Sequence, residues 1–504
     1  MGSVGDMKKK TIVLLYLMLV LMTILGAGLI IEGSSRSINM TRASSVSEDS
    51  IDENESGDPV YDLVSCVEGT TPDMLSADHW TSAAENEVLF NQEEIEDFNK
   101  NNPAFVYYQL PDQGSRRKLY MDDLRESMDG DIVRALIAGE SADDPQQEYP
   151  DLYQDGEPVS DAYLEGLYED MALDMIPATV IPRYAINLNR TTAKIFPTGD
   201  KAFDSADDIW FDSFVSAEVM PFSGVVILHE SRDGSYSYIL NGTYLGWVKT
   251  DNLALCSGYD EWKRYSDPER FVVVTGSEIV LDETALDSPY SGMILPMGCR
   301  VPLSDDHDSP VGGRSTYGCY TAELPVRDEE GRLESIRVLI PVSKDVSIGY
   351  LPMTSANVIG QAFKFLGRVY GYGGELSSND CSGFARQVYA CFGLKLPRNA
   401  KAIAEMADLG SINTSMMTTK AKLRLLSQTK PGLPLYMDGH LMIYLGMEEG
   451  RPYVISSCAT YIAPSSQDGS VEDAYCVFVS GLDLLRKNGK SWLEDLSYIM
   501  CREY

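Results

Sequence analysis

Nine cysteines and four histidines carry the nucleophilic and basic chemistry open to this chain, and one of each stands out. Cys381 lies in YGYGGELSSNDCSGFARQVYACFGLKLPRN, Tyr370 to Asn399, where a glycine-rich approach ends in Asp380-Cys381-Ser382-Gly383. Phe384, Val388 and Tyr389 then recur at helical spacing and Gly393 supplies a stop, so Cys381 falls where a loop becomes a helix. Unpaired N–H groups and a partial positive charge at a helix start favour a thiolate over a thiol. A buried, inert cysteine would occupy the same position in the pattern. A cysteine nucleophile needs a base, usually histidine. His440 is the only histidine of the last region; it follows Gly439 and opens the apolar run His440-Leu-Met-Ile-Tyr-Leu-Gly446. Together the two residues point to acyl transfer through a covalent thioester.

The elements that must position them begin near Thr354. Ser355 is expected to cap a helix through Asn357–Leu366, with Ile359, Phe363 and Leu366 on one face. After Cys381 and its helix, Pro431-Gly432 marks a turn, and His440 to Gly446 reads as a strand. Glu448-Glu449-Gly450 turns the chain into Tyr453-Val-Ile-Ser-Ser-Cys458, the returning strand. Helices before a run of strands fit an α+β domain.

Upstream, the texture is β. Residues from Arg183 form short alternating runs separated by Arg232-Asp233-Gly234 and Asn241-Gly242, both hairpin signals. From Arg270 to about Val346 the texture repeats, with Asp328-Glu329-Glu330-Gly331 as an acidic turn. Two small barrels are expected. His229, mid-strand, and His79, beside Trp80, read as packed or surface residues, and His307 reads as part of a solvated loop, Asp305 to Asp308. From Asp58 to Pro182 the pattern is mostly helical, with surface helices around Asn91–Asn99 and Ser160–Met175.

A length of 504 residues calls for several domains, and a net charge of −35 argues against nucleic acid or an anionic membrane surface as partner. Lys8-Lys9-Lys10 precede a run from Thr11 to Ile31 that contains no charge, long enough to span a bilayer as a helix with its N-terminal side in the cytoplasm. It reads as an uncleaved anchor rather than a cleaved signal peptide. Either way the bulk of the chain is expected outside the cytoplasmic membrane, on an acidic, disordered stalk over 32–57. The cysteines are scattered without a CxxC pair, which disfavours structural zinc; Cys299 with Cys319 is the most plausible local disulfide.

Four blocks, YGYGG, DCSGFARQVY, FGLKLPRN and GHLMIYLG, in that order and spacing, resemble the NlpC-type cell-wall cysteine peptidases, papain-like enzymes that cut peptidoglycan stem peptides. The likeness covers the last 150 residues or so. The β regions resemble the bacterial SH3-like barrels of one branch of that family, in which a stabilising domain precedes two barrels. Behind the anchor over 1–31 and the stalk over 32–57, the resemblance implies an N-terminal stabilising domain over 58–182, SH3-like barrels over 183–262 and 263–350, and an α+β peptidase domain over 351–504.

Carried over by position, Cys381 would be the nucleophile and His440 the base. The orienting third residue, usually a histidine, falls on Ser456, with Ser457 one position along; strand alternation lets only one of them face His440. Tyr370, Asp380 and Ser382 match positions that hold the free amino end of the stem peptide, and Tyr372 stands in place of a tryptophan. The implied reaction needs no metal or organic cofactor. Its expected substrate is the γ-D-glutamyl bond to diaminopimelate or lysine. Two other classes stay open: a wall-binding protein with a degenerate peptidase domain, and an amidase or acyltransferase using the same thiol.

Overall fold

A computed structural model describes residues 64–82, 88–108, 110, 117–124, 126–138, 151–242, 244–284 and 288–501. The anchor and stalk expected over 1–57 lie outside these; among the described residues no helix is long and apolar enough to cross a membrane.

The first β region follows its turn chemistry. Seven antiparallel strands, β1 Arg183–Asn187, β2 Thr191–Lys194, β3 Val215–Val219, β4 Gly224–Glu230, β5 Tyr236–Asn241, β6 Tyr244–Lys249 and β7 Leu253–Leu255, lie in the order β3-β2-β6-β5-β4-β1-β7. The two hairpin signals sit where expected, with Gly234 and Gly242 at positive φ between β4, β5 and β6. The second β region is less regular. A three-stranded sheet centred on Phe271–Val274 joins two separate ladders, of which the hairpin Cys319–Arg327 with Leu333–Pro341 is the longer. They share one core around Val272, Leu295, Val301 and Ile340.

The segment preceding the barrels does not gather into one body. Its helices Gln92–Asn101 (α1), Gly130–Ala138 (α2) and Asp161–Asp170 (α3) are joined by short strands. Trp80, Phe90, Ile95 and Phe98 enter the core of the C-terminal domain, beside Val358, Phe384 and Ile443. Val133, Leu136, Leu167 and Met171 enter the core of the first barrel, beside Phe196, Phe214 and Trp247. His229 belongs to this second seam: its Nε2–H donates to the Met171 and Ala172 carbonyls, each at 3.1 Å.

In the C-terminal domain, helices Ser355–Phe363 (α4) and Cys381–Ala390 (α5) pack on one face of a six-stranded antiparallel sheet. Its strands are Ser411–Asn413 (β8), Pro434–Met437 (β9), His440–Glu448 (β10), Arg451–Tyr461 (β11), Glu472–Gly481 (β12) and Leu496–Met500 (β13), in the order β8-β13-β9-β10-β11-β12. Alternation along β10 sends Leu441, Ile443 and Leu445 toward the helices and Met442 and Tyr444 to the opposite face, against Leu426 and Trp492. The cap of α4 is Thr354, one residue before Ser355: its hydroxyl accepts from the Asn357 N–H, while Ser355 is fully buried as the first helical residue. The nine cysteines are all free thiols. Cys299 does not meet Cys319, because it turns inward with its Sγ 3.7 Å from the Pro221 carbonyl.

Candidate active site

Helix α5 starts where it does because Asp380 caps it. The residue is extended, and its Oδ1 accepts the Gly383 N–H at 2.7 Å. Small residues in the first turn and Phe384, Ala385, Val388 and Tyr389 behind them let the helix sit flat on the sheet, with the Tyr389 hydroxyl tied to the Gly432 carbonyl at 2.7 Å. Cys381 is the first helical residue and is only partly exposed.

The backbone N–H groups of Leu441 and Ser382 favour the ionised form of the thiol. Leu441 directly follows His440, so the helix start meets the sheet one peptide unit from the imidazole. His440 is buried and its Nε2 lies 3.0 Å from the Ser456 Oγ; the Trp492 ring stands edge-on at 5.2 Å. Ser457 faces the helix side, donating to the Asn379 carbonyl at 2.8 Å. Of the two serines, Ser456 is therefore the one that meets His440. Burial, with a smaller contribution from the Arg486 charge, lowers the His440 pKa to about 3; burial and the Asp380 charge push the Cys381 thiol up to about 12. At rest the pair is a neutral thiol and a neutral imidazole.

Asp380 is not free to hold a substrate amine. Its four acceptor sites are filled by the Ser382 Oγ–H at 2.9 Å, the Gly383 N–H, the Gly373 N–H at 3.1 Å and the Arg398 guanidinium at 2.7 Å. Arg398 also donates to the Ser382 Oγ at 2.7 Å. Burial alone would raise the Asp380 carboxyl, but Arg398 and the surrounding N–H donors hold it below the usual carboxylate range. The cation that satisfies Asp380 is internal. Tyr370 and Tyr372 are buried too, in an aromatic cluster with Phe211 of the first barrel; Tyr370 and Phe211 also border Tyr475 of β12. Trp210 stacks on Tyr475 at 4.1 Å. The structure sets His440 beside Ser456 on the sheet face that carries Trp492, while Cys381 packs on the helix face, next to the strand residue that follows His440. Arg398 was missed, although a lone arginine inside the apolar block FGLKLPRN was a signal for a buried ion pair.

The C-terminal unit is an α+β domain with a cysteine at a helix start, a histidine opening a neighbouring strand and a serine beside it on the next. Residues 367–462 match the family model of the NlpC/P60 family, and residues 200–249 match that of an SH3 domain of the SH3b1 type. The NlpC/P60 match thus falls in the C-terminal domain, and the SH3-type match falls in the first β region. Among solved structures, the chain is similar to an NlpC/P60 endopeptidase from Photobacterium damselae subsp. piscicida, 17% identical over 84% of this chain and 95% of that one, with a TM-score of 0.61. An NlpC/P60 family protein from Bacillus cereus ATCC 10987 is 15% identical over 56% of this chain and 81% of that one, at a TM-score of 0.37, so the fold comparison rests on the first. No curated protein matches the chain.

Proposed function

We propose that the chain is a cell-wall cysteine endopeptidase that cleaves peptidoglycan stem peptides, at the γ-D-glutamyl bond to diaminopimelate or lysine. The observation that carries this reading is the 3.0 Å contact between the His440 Nε2 and Ser456 Oγ. With the ring proton on Nε2 and donated to the hydroxyl, Nδ1 is left as the base. The Cys381 Sγ attacks the amide carbonyl while its proton passes to Nδ1, a transfer that requires the His440 ring to turn from its place beside Trp492 toward the start of α5, so that no free thiolate has to form in a site where burial opposes it. Backbone N–H groups at the start of α5 hold the developing oxyanion. His440 returns the proton to the leaving amine, and water, deprotonated by the same imidazole, hydrolyses the thioester. The chain's own residues supply every group in this cycle. The uncharged run Thr11–Ile31 behind three lysines supports a placement on the outer side of the cytoplasmic membrane, facing the wall.

A second reading, wall binding without catalysis, is favoured by the same burial that leaves the resting thiol and imidazole uncharged. Release of dipeptide products from purified stem peptides, followed by mass, separates the two. Wild type is expected to release product and Cys381→Ala none; equal behaviour of the two would sink the enzyme. A product carrying an added acceptor instead of water would reassign the chemistry to acyl transfer.

A further inference from the structure

The loop that delivers Cys381 is held by the first barrel as well as by its own domain. Gly373 and Gly374 lie flat against β3: a Cβ on Gly373 would fall 2.3 Å from the Val215 Cγ1, and one on Gly374 would fall 2.7 Å from the Glu218 Cβ. Lys201 pairs with Glu375 in the same loop. Leu376 and Ser377 follow at φ 55° and 51°, left-handed backbone that non-glycine residues adopt only when something holds them there. Arg190, in the turn between β1 and β2, is that holder. Its guanidinium donates to the Ser377 carbonyl at 2.5 Å, the Ser378 carbonyl at 2.6 Å and the Asn379 Oδ1 at 3.0 Å. It is fixed in turn by Glu218 at 2.5 Å, the two side chains being 14% and 5% exposed. Glu218 also accepts from the Gln387 Nε2 of α5 at 3.2 Å, and the Gln387 Oε1 accepts from the Asn379 Nδ2 at 3.2 Å. The chain Arg190–Glu218–Gln387–Asn379 thus spans barrel, helix and loop and ends two residues before the nucleophile.

We propose that Arg190 is a positioning residue for Cys381, and that the first barrel is one half of the catalytic unit rather than a detachable binding module. A planar fork reaching two consecutive carbonyls fixes the orientation of the loop in a way a point charge does not. Displacing a nucleophile by about 1 Å costs on the order of 100-fold in turnover. The inference rests on the peptidase reading for its kinetic arm only.

The test uses the full chain with Arg190→Met, Arg190→Lys and, as a control in the second β region, Arg337→Met, whose side chain bonds Asp306, Ser309 and Pro310. Arg190→Met is expected to lower kcat about 100-fold on stem peptide with KM changed less than about threefold, Arg190→Lys to fall between it and wild type, and Arg337→Met to match wild type. In parallel, the rate at which iodoacetamide alkylates Cys381, read by peptide mapping, is expected to change at least about tenfold in Arg190→Met. Unchanged kcat and unchanged alkylation in a folded Arg190→Met protein would overturn the proposal. If wild type releases no product, the peptidase reading fails and the alkylation rate alone decides this one. If Arg190→Met does not fold, Glu218→Gln takes its place: a loss of about tenfold in kcat or alkylation rate supports the clamp, and wild-type rates for both overturn it.

Discussion

His440 on β10 and Ser456 on β11 meet at 3.0 Å, while Ser457, one residue along, bonds the loop carbonyl of Asn379 on the opposite face of the sheet. Adjacent serines on one strand thus make two separate contacts, one with the His440 ring and one with the loop that leads to Cys381. Ser456→Ala leaves a buried imidazole N–H without a partner, a loss of about 1–3 kcal/mol, or about ten- to a hundredfold in kcat with KM little changed. A wild-type kcat in Ser456→Ala would remove the orienting role.

The depressed His440 pKa sets the pH behaviour. The imidazole stays neutral, and competent as a base, down to about pH 3. The thiol stays protonated up to about 12. The rate profile is therefore expected to be flat, with kcat/KM at pH 5 within about threefold of its value at pH 7.5. An inflection near the ordinary histidine value would show that His440 titrates as an open residue.

Stability follows the same group with a definite sign. Below about pH 6.5 the unfolded chain binds a proton on this histidine that the native chain does not, so native stability is lost as pH falls from there toward 3. Between about pH 7 and 5 the loss attributable to His440 is about 2 kcal/mol. His440→Gln removes the titration, so its melting temperature should fall less over that interval than that of wild type; equal falls would contradict the assignment.

Asp380 and Arg398 form a buried pair, 6% and 16% exposed. Asp380→Asn or Arg398→Met alone leaves one charge behind and should cost about 3–5 kcal/mol. The double variant should recover a clear share of that in a thermal melt, as both charges are then gone. Additive losses would mean the two residues do not act as a pair.

Gly374 and Gly360 give opposite expectations for the same substitution. Gly374→Ala meets Glu218 from a backbone at φ 94° and should lose both stability and activity. Gly360→Ala, inside α4 with nothing within 4 Å of the new Cβ, should gain about 0.5–1 kcal/mol. A melt of each decides; a stabilised Gly374→Ala protein would show that β3 does not press on the loop.

What the sequence disclosed is local. Turn signals such as Asn241-Gly242 and Glu448-Glu449-Gly450, the cap-and-helix pattern at Asp380–Ala390 and the candidates Cys381 and His440 all depend on neighbours in the chain, whereas Ser456 came from the family resemblance. The Thr354 cap was misplaced by one residue because adjacent Thr and Ser carry the same capping chemistry. What stayed hidden depends on partners far away. Arg190 binds a loop 187 residues downstream, Gln387 reaches back 169 residues to Glu218, and the pairing that closes Asp380 to a substrate amine comes from Arg398 beyond the helix. No periodicity encodes such pairs. The division of the early segment between two cores was illegible for the same reason: its apolar residues have a helical pattern whichever surface they cover.

Trp80, Phe90, Ile95 and Phe98, early in the chain, complete the core of its last domain, and residues Val88 and Phe90 pair with Met353 and Thr354 as a small sheet. The hydrophobic interior of that domain is closed by a segment made long before it, across a loop that contains both barrels. Such closure raises contact order and slows folding. Until synthesis reaches the final strands, the early segment has no surface to cover and remains an exposed apolar stretch. The chain should consequently mature late and all at once, and a fragment begun at Thr354 should emerge with a gap in its core and a tendency to aggregate.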